Sequence, residues 1–304
     1  METSPTVWVS FILFILVLLG LDLGVFHKKS HAVSFKEAIV WSFVWVALAM
    51  AFNVVILFWR GQEDFLLFLS GYVVEKSLSV DNLFVFLLIF NYFQVPAAYQ
   101  HKILFYGIVG ALLMRALFIG AGIAILHHFA WVIYVFGTFL ILTGLKMLVP
   151  GSEEPDLADN KVIQWARKIF PTSHQLDGDK FFTVEKGKRM ATPLFLTLIF
   201  VEISDVIFAV DSIPAIIGIT ADPFLVFTSN VFAILGLRSL YFALKGFSDL
   251  FEYLKYGLAV ILMFIGIKMC VAKVYHVPVW VTLAVIFVVL LGSMLASLAK
   301  RRAQ

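Results

Sequence analysis

The chain has 304 residues, of which 62% are hydrophobic and only 14% are charged. A soluble domain has about 45–50% apolar and about 25% charged residues, so this composition excludes an ordinary soluble protein. The net charge of +3 comes from cations that lie between the apolar runs, which argues against the basic face of a nucleic-acid-binding domain. The single cysteine, Cys270, excludes an intramolecular disulfide and a cysteine-cluster metal site.

Nine apolar runs are long enough to cross a bilayer, which takes about 20 apolar residues. They lie at about residues 6–26, 36–59, 66–90, 101–126, 129–149, 193–217, 223–245, 251–271 and 278–298. We therefore predict an all-α polytopic membrane protein with about nine transmembrane helices, which contacts the lipid bilayer along its length.

The loops between these runs predict the orientation, because cytoplasmic loops are enriched in Lys and Arg. Most of these cations lie in one set of loops, which includes the segment 161–189 and the tail 300–302. The other set contains little beyond Arg60 and Lys273. We predict that the N-terminus is outside and the C-terminus is in the cytoplasm.

Two of the runs carry carboxylates near their middle. The first reads GYVVEKSLSVDNLFVF at residues 71–86, and the second reads VEISDVIFAVDSIPA at residues 201–215. Both contain two acids six positions apart: Glu75 and Asp81 in the first, Asp205 and Asp211 in the second. A charge at the centre of a spanning helix costs about 2.5–3.5 kcal/mol. We therefore expect these acids to face protein, water or a bound cation.

Two further landmarks occur twice in the same order. RALF at residues 115–118 matches RSLY at residues 238–241, and TGLKM at residues 143–147 matches IGIKM at residues 265–269. Each repeated unit contains three apolar runs, an odd number, so the second unit must be inserted upside down relative to the first. Inverted repeats of this kind are common in secondary transporters, whose binding site lies at the repeat interface.

These landmarks divide the chain into five parts. They are two N-terminal helices at 1–60, the first three-helix repeat at 61–149, a cytoplasmic connector at 150–192, the second inverted repeat at 193–272, and a C-terminal helix with a basic tail at 273–304. Within the connector, the loosely amphipathic residues 157–170 predict an interfacial helix. We interpret the segment as a whole as a solvated connector between the two halves, with a regulatory domain as the alternative.

The inverted arrangement predicts where the acids lie. In antiparallel helices, Glu75 should be level with Asp211, and Asp81 level with Asp205. Positions six apart on one straight helix point about 120° away from each other, so a single ion reaches both acids of one helix only if that helix is broken. Pro214 favours such a break near Asp211 in the sixth run.

Around the acids, the motifs carry only oxygen ligands. They include the amide of Asn82 and the hydroxyls of Ser79 and Ser212, and no histidine lies beside either motif. Hard oxygen ligands suit Mg²⁺, Ca²⁺ and Mn²⁺ better than Cu or Zn, which favours a hard divalent cation. Proton or Na⁺ coupling to an organic substrate is the alternative, because buried acids also carry protons.

Cations lie near the acids as well. Lys76, Arg115 and Arg238 either form structural ion pairs with the acids or gate the site, and Asn230 in the seventh run is a further candidate ligand. We find no phosphate-binding loop, nucleophile elbow or HExxH zinc motif, so nothing in the sequence indicates an enzyme.

At these motifs, the chain resembles the TerC family of integral membrane proteins. The resemblance is carried by EKSLSVDNLFVF at residues 75–86 and EISDVIFAVDSIPA at residues 202–215. RSLY at residues 238–241 and GIKM at residues 266–269 follow in the expected order, and the likeness covers nearly the whole chain.

This resemblance implies membership of a wider transporter superfamily that includes the LysE amino-acid exporters, and it implies export of Mn²⁺ as substrate without a prosthetic group. It assigns the metal site to Glu75, Asp81, Asn82, Glu202, Asp205 and Asp211. The residues themselves, apart from the resemblance, give the supporting or gating candidates Lys76, Ser79, Ser212, Arg115, Arg238 and Asn230. We expect a bacterial inner-membrane exporter, and exchange for protons on the same carboxylates is a further hypothesis.

The family is also linked by name to tellurite resistance, and some relatives to metal loading of secreted enzymes or to membrane-protein assembly. A transporter of another divalent or organic cation and a non-transporting scaffold therefore stay open.

Overall fold

The computed structural model describes residues 4–24, 35–129, 131–149, 172–173, 176–185, 187–244, 253–275 and 277–303. Its helices are α1 (Pro5–Gly24), α2 (Phe35–Arg60), α3 (Gln62–Tyr92), α4 (Ala97–His128), α5 (Val132–Met147), α6 (Pro193–Ile217), α7 (Pro223–Leu235), α8 (Leu237–Leu244), α9 (Leu254–Val271) and α10 (Val279–Ala303). Each predicted apolar run contains helix, and the seventh is divided between α7 and α8.

Several of these helices are long and apolar enough to cross a membrane. In the part of the chain that the structure describes, four qualify alone, namely α2, α6, residues Ala97–Leu126 of α4 and residues Trp280–Lys300 of α10. α7 and α8 meet at a bend of 43° and form a fifth if they are taken as one span, whereas α1 and α5 are apolar but shorter. The fold is that of a helical membrane protein, and the number of spans stays a prediction.

The inner helices α3, α4, α6 and α7 pack against one another in pairs. α3 packs against α6 and α7, and α4 packs against α6. Along α4, Gly107 faces Val201 and Gly122 faces Ile217, so α4 and α6 run parallel. α3 and α7 also run parallel, because Gly71 faces Ser229 and the next turn of α3 reaches Ala233.

α5 and α9 cross in close contact through small residues. A Cβ on Gly137 would lie 2.8 Å from the carbonyl oxygen of Gly266, and a Cβ on Gly144 would lie 2.6 Å from that of Ala259. The residue numbers of the contacts fall along α9 as they rise along α5, so the two helices are antiparallel. Glycine is needed here because the opposing backbones leave no room for a side chain.

The helix break occurs in α7–α8 and not at Pro214, so the predicted break in the sixth run is wrong. α6 is one helix that continues through Pro214 to Ile217. Pro214 lies in the last turn of α6, where the loss of one backbone N–H disturbs little of the helix. The bend between α7 and α8 lies instead at Gly236, where a Cβ would be 3.1 Å from the Cβ of Trp45 on α2.

The junction of α2 and α3 is tied to the start of α7 by ion pairs. The Nε of Arg60 lies 2.6 Å from Oδ2 of Asp64, and its Nη2 lies 2.5 Å from Oδ2 of Asp222. Asp222 also caps α7, because its Oδ1 accepts hydrogen bonds from the backbone N–H groups of Phe224 and Leu225 at 2.9 and 3.0 Å. Arg60 therefore joins two segments that are far apart in sequence.

The connector ends in a hairpin that the sequence analysis did not predict. β1 (Phe182–Glu185) pairs antiparallel with β2 (Lys188–Ala191) around a turn in which Gly187 has φ +75°. Nearby, hydrogen bonds from Lys180 and Thr183 hold the pKa of Asp177 below its usual range. The predicted interfacial helix at 157–170 lies outside the described residues.

Candidate functional site

Arg115 of α4 lies at the point where four helices meet. Its Nη1 donates hydrogen bonds to Oε1 of Glu75 on α3 and, at 2.6 Å, to Oδ1 of Asn230 on α7. Its Nη2 donates to Oδ1 of Asp205 on α6 at 3.3 Å. Each of these four residues is at most 3% exposed. The guanidinium is therefore a buried cation that bridges one acid from each of the two sequence motifs.

The helix register explains how this bridge forms. A Cβ on Gly71 would lie 3.6 Å from Ile216, which sets α3 beside α6. Glu75, one turn along α3, is then about level with Ser212 on the antiparallel α6, close to the level that the sequence predicted for Asp211. Asp205 lies two turns away on α6, and the long side chain of Arg115 spans the difference.

Several buried oxygens at this site lack a hydrogen-bond donor among the described residues. They are Oε2 of Glu75, Oδ1 of Asn82, Oδ2 of Asp205 and Oγ of Ser212. A buried carboxylate oxygen without a partner is costly, because it has lost its water and gained nothing in exchange. Carboxylate, amide and hydroxyl oxygens are the ligands that hard cations prefer, so this donor set suits a cation.

The metal site that the resemblance implies is only partly described. Asp81 and Asp211 lie on α3 and α6, but their side chains are outside the described residues. Within the described residues, no group of three or more His, Cys, Asp or Glu side chains is arranged to hold a metal ion. The structure brings Glu75 and Asp205 together through Arg115, and Ser79 donates a hydrogen bond to Oε1 of Glu75 at 3.3 Å.

Glu202 lies apart from this bridge, one turn before Asp205 on α6. Its half-buried carboxyl occupies the space beside Gly110 of α4, where even a Cβ would overlap it. The sequence analysis did not identify Gly110 or Gly107, which bring α4 against α6. The available signal was their small size, because small residues on one helix face permit a close helix contact.

Lys76 contacts the helix break and not Glu75. Its Nζ donates a hydrogen bond to the carbonyl oxygen of Ala233 at 2.9 Å. In an uninterrupted helix, that carbonyl would accept from the N–H of Leu237, which lies beyond the bend. Lys76 therefore satisfies a backbone acceptor at the end of α7, and a Cβ on Gly236 would lie only 2.7 Å from its Nζ.

Arg238 lies with Asp205 in the wall of a small cavity. The volume of the cavity is about 10 Å³, roughly the space that one ordered water needs. Its other lining residues include Phe86 near the end of α3, Gly107 near the start of α4 and Val201 near the start of α6. The cavity therefore lies on the side of Asp205 where α3 ends and where α4 and α6 begin.

Comparison with known proteins identifies the family of this chain. The sequence model of the integral membrane protein TerC family matches residues 60–304. The uncharacterized membrane protein STKORF319 of Myxococcus xanthus is 50% identical over 299 residues, which cover 98% of this chain and 94% of that protein. Alx of Escherichia coli (strain K12), named as a candidate membrane-bound redox modulator, is 45% identical over 296 residues, which cover 94% of this chain and 92% of Alx.

An uncharacterized membrane protein of Rickettsia bellii (strain RML369-C) is 39% identical over 294 residues, which cover 97% of each chain. No solved structure matches the chain. The family match over residues 60–304 and these full-length relatives show that the chain belongs to the TerC family of integral membrane proteins.

Proposed function

We propose that this protein is a transporter that exports Mn²⁺ from the cytoplasm across the bacterial inner membrane. The cation would pass through a carboxylate-lined site between two inverted three-helix repeats, with the N-terminus outside and the C-terminus in the cytoplasm. The observation that carries this proposal is the set of buried oxygens on α3 and α6 that lack a donor among the described residues.

The helix contacts support the inverted repeat. In the sequence alignment of the two units, Gly144 corresponds to Gly266 and Gly137 corresponds to Ala259. The contact between Gly137 and Gly266 is therefore the counterpart of the contact between Ala259 and Gly144, as a pseudo-twofold axis requires. The same axis would map α3 onto α6 and α7 onto α4, so it would exchange the parallel pair α3–α7 with the parallel pair α4–α6.

The chemistry of the ligands supports a hard divalent cation as the substrate. Carboxylate, amide and hydroxyl oxygens bind Mn²⁺, and the site as described offers no thiolate or imidazole that would favour Cu or Zn. Carboxylates that release a cation can take up protons, so we propose exchange of Mn²⁺ for H⁺ at the same acids. This role is transport and not catalysis, and it assigns no prosthetic group.

The experiment is elemental analysis of cells stressed with added Mn²⁺. The cells would express wild type, Asp205→Asn, Asp81→Asn or Asp211→Asn at matched membrane levels. The control is Glu63→Gln, because Glu63 is an exposed acid near the start of α3, away from the site. We expect wild type and the control to lower total cellular Mn and the three aspartate variants to fail.

Equal Mn in all of these cells would contradict the proposal and favour a non-transporting scaffold or another substrate. Total Fe, Mg and Zn in the same samples distinguish Mn²⁺ export from export of another divalent cation. Proteoliposomes with an imposed pH gradient test the coupling, since Mn²⁺ flux that ignores the gradient would rule out proton exchange.

A further inference from the structure

The guanidinium of Arg115 occupies the position where a cation that uses both motifs would bind. It holds Oε1 of Glu75 and Oδ1 of Asp205 at once, while the second oxygen of each carboxylate has no donor among the described residues. An ion bound to these second oxygens would lie within a few ångströms of the guanidinium in a nearly dry interior. Two cations so close together repel each other strongly where the dielectric constant is low.

Asn230 provides a place that can retain the guanidinium. Its Oδ1 accepts from Nη1 of Arg115 at 2.6 Å, closer than the 3.3 Å contact between Nη2 and Asp205. Asn230 is neutral, so it does not compete for a metal ion as strongly as a carboxylate does. Arg115 can therefore leave the acids while it keeps one buried hydrogen bond.

We propose that Arg115 is a built-in counter-cation, which binds Glu75 and Asp205 in the cation-free protein and is displaced from them when the substrate cation binds. This inference rests on the proposed function for its cargo. The bridge keeps two buried carboxylates compensated after the cargo has left, because an uncompensated buried charge is strongly unfavourable. Arg115 is thus a positioning residue that lets the empty site change conformation.

The repeat supplies a counterpart for this residue. Arg238 occupies the position in the second unit that Arg115 occupies in the first, and it lines the cavity beside Asp205. In the opposite-facing conformation, Arg238 would therefore take the role that Arg115 has in this structure.

Competition between Arg115 and the cation predicts the sign of a mutational effect. By linkage, removing a competitor tightens cation binding, and a typical coupling corresponds to roughly 5–150-fold. Arg115→Gln in the purified, full-length protein should therefore bind Mn²⁺ about tenfold or more tightly than wild type, measured by the loss of the free-Mn²⁺ signal in electron paramagnetic resonance. In proteoliposomes, the variant should keep Mn²⁺–Mn²⁺ exchange but lose net efflux, since its empty form lacks the counter-cation.

The matched control is Arg60→Gln, which removes another ion-paired arginine, at the end of α2, but leaves the site intact. Its Mn²⁺ affinity should equal that of wild type. If Arg115→Gln does not fold, Arg115→Lys carries the test. An ammonium lacks the planar fork with which the guanidinium reaches both carboxylates, so it should compete less with the cation and tighten binding by a smaller factor.

The outcomes separate this inference from the transport proposal, if Mg²⁺, Ca²⁺ and Co²⁺ are titrated together with Mn²⁺. Tighter binding of any of these ions to the Arg115 variant supports the counter-cation, even if wild-type cells fail to export Mn²⁺. Unchanged or weaker binding of all four ions by the folded variant overturns it, even if Mn²⁺ export by wild type is established. Loss of exchange together with net efflux would likewise contradict it.

Discussion

The contact between α5 and α9 predicts that the substitution Gly266→Ala destabilises the protein. The added Cβ would lie 2.5 Å from the carbonyl oxygen of Gly137, 2.9 Å from Cγ1 of Ile141 and 3.1 Å from the backbone nitrogen of Ile141. Two of these three atoms belong to the backbone, so a rotamer change cannot relieve the overlap and the helices must separate. Overpacking of a close contact costs about 1–3 kcal/mol.

The matched control is Gly292→Ala in α10, where a Cβ would meet no atom within 4 Å. There, the substitution should only reduce backbone entropy in the unfolded chain, a gain of about 0.5–1 kcal/mol. Both glycines lie inside helices, so this gain is common to the two variants, and their free energies of unfolding should differ by the overpacking cost of about 1–3 kcal/mol, with Gly266→Ala the less stable.

Thermal unfolding of the detergent-solubilised protein, followed by the loss of the monodisperse peak in size-exclusion chromatography, measures this difference. We expect the midpoint of Gly266→Ala to be several degrees below that of Gly292→Ala. Equal midpoints, or a more stable Gly266→Ala, would refute the close backbone contact between α5 and α9.

Two further predictions concern the site. Gly110→Ala should displace the carboxyl of Glu202, because the new Cβ would overlap it, and Mn²⁺ efflux should therefore fall. The control Gly120→Ala, whose Cβ would meet open space, should stay near wild type. Normal efflux by Gly110→Ala would contradict a role for the position of Glu202. Lys76→Met should lower the unfolding midpoint by removing a buried hydrogen bond to Ala233, worth about 1.5–3 kcal/mol for a charged donor. Because Lys76 does not bind Glu75 in this structure, its loss should change Mn²⁺ affinity less than Arg115→Gln does, and an equal or larger change would contradict that assignment.

The class of the protein could be predicted from the sequence because the bilayer imposes simple rules. Apolar runs of sufficient length predict helices wherever they occur, since every backbone polar group in the hydrocarbon region must be satisfied internally. The acids of the two motifs stand out for the same reason, because charges are rare in such runs. The family followed from those motifs, and the match to residues 60–304 confirmed it.

The position of the helix break could not be predicted in this way. Pro214 was the strongest local signal, yet α6 continues through it, and the bend lies at Gly236. The difference arises from contacts with other helices, because Trp45 and Lys76 both approach Gly236 and Lys76 bonds the carbonyl that the bend exposes. A single-helix pattern contains no information about these neighbours.

Taken by itself, the sequence determined that the chain is apolar enough for a helical membrane protein and which acids lie within its apolar runs. Only the tertiary structure decided which cation meets which acid, since Arg115 contacts Glu75, Asp205 and Asn230 from 40, 90 and 115 positions away. Such long-range pairing depends on how four helices pack, and the packing depends on glycines whose small size matters only where another helix is close. Hydrophobicity acts on each residue alone and can be read along the chain, whereas a buried ion pair is a property of the assembled helices.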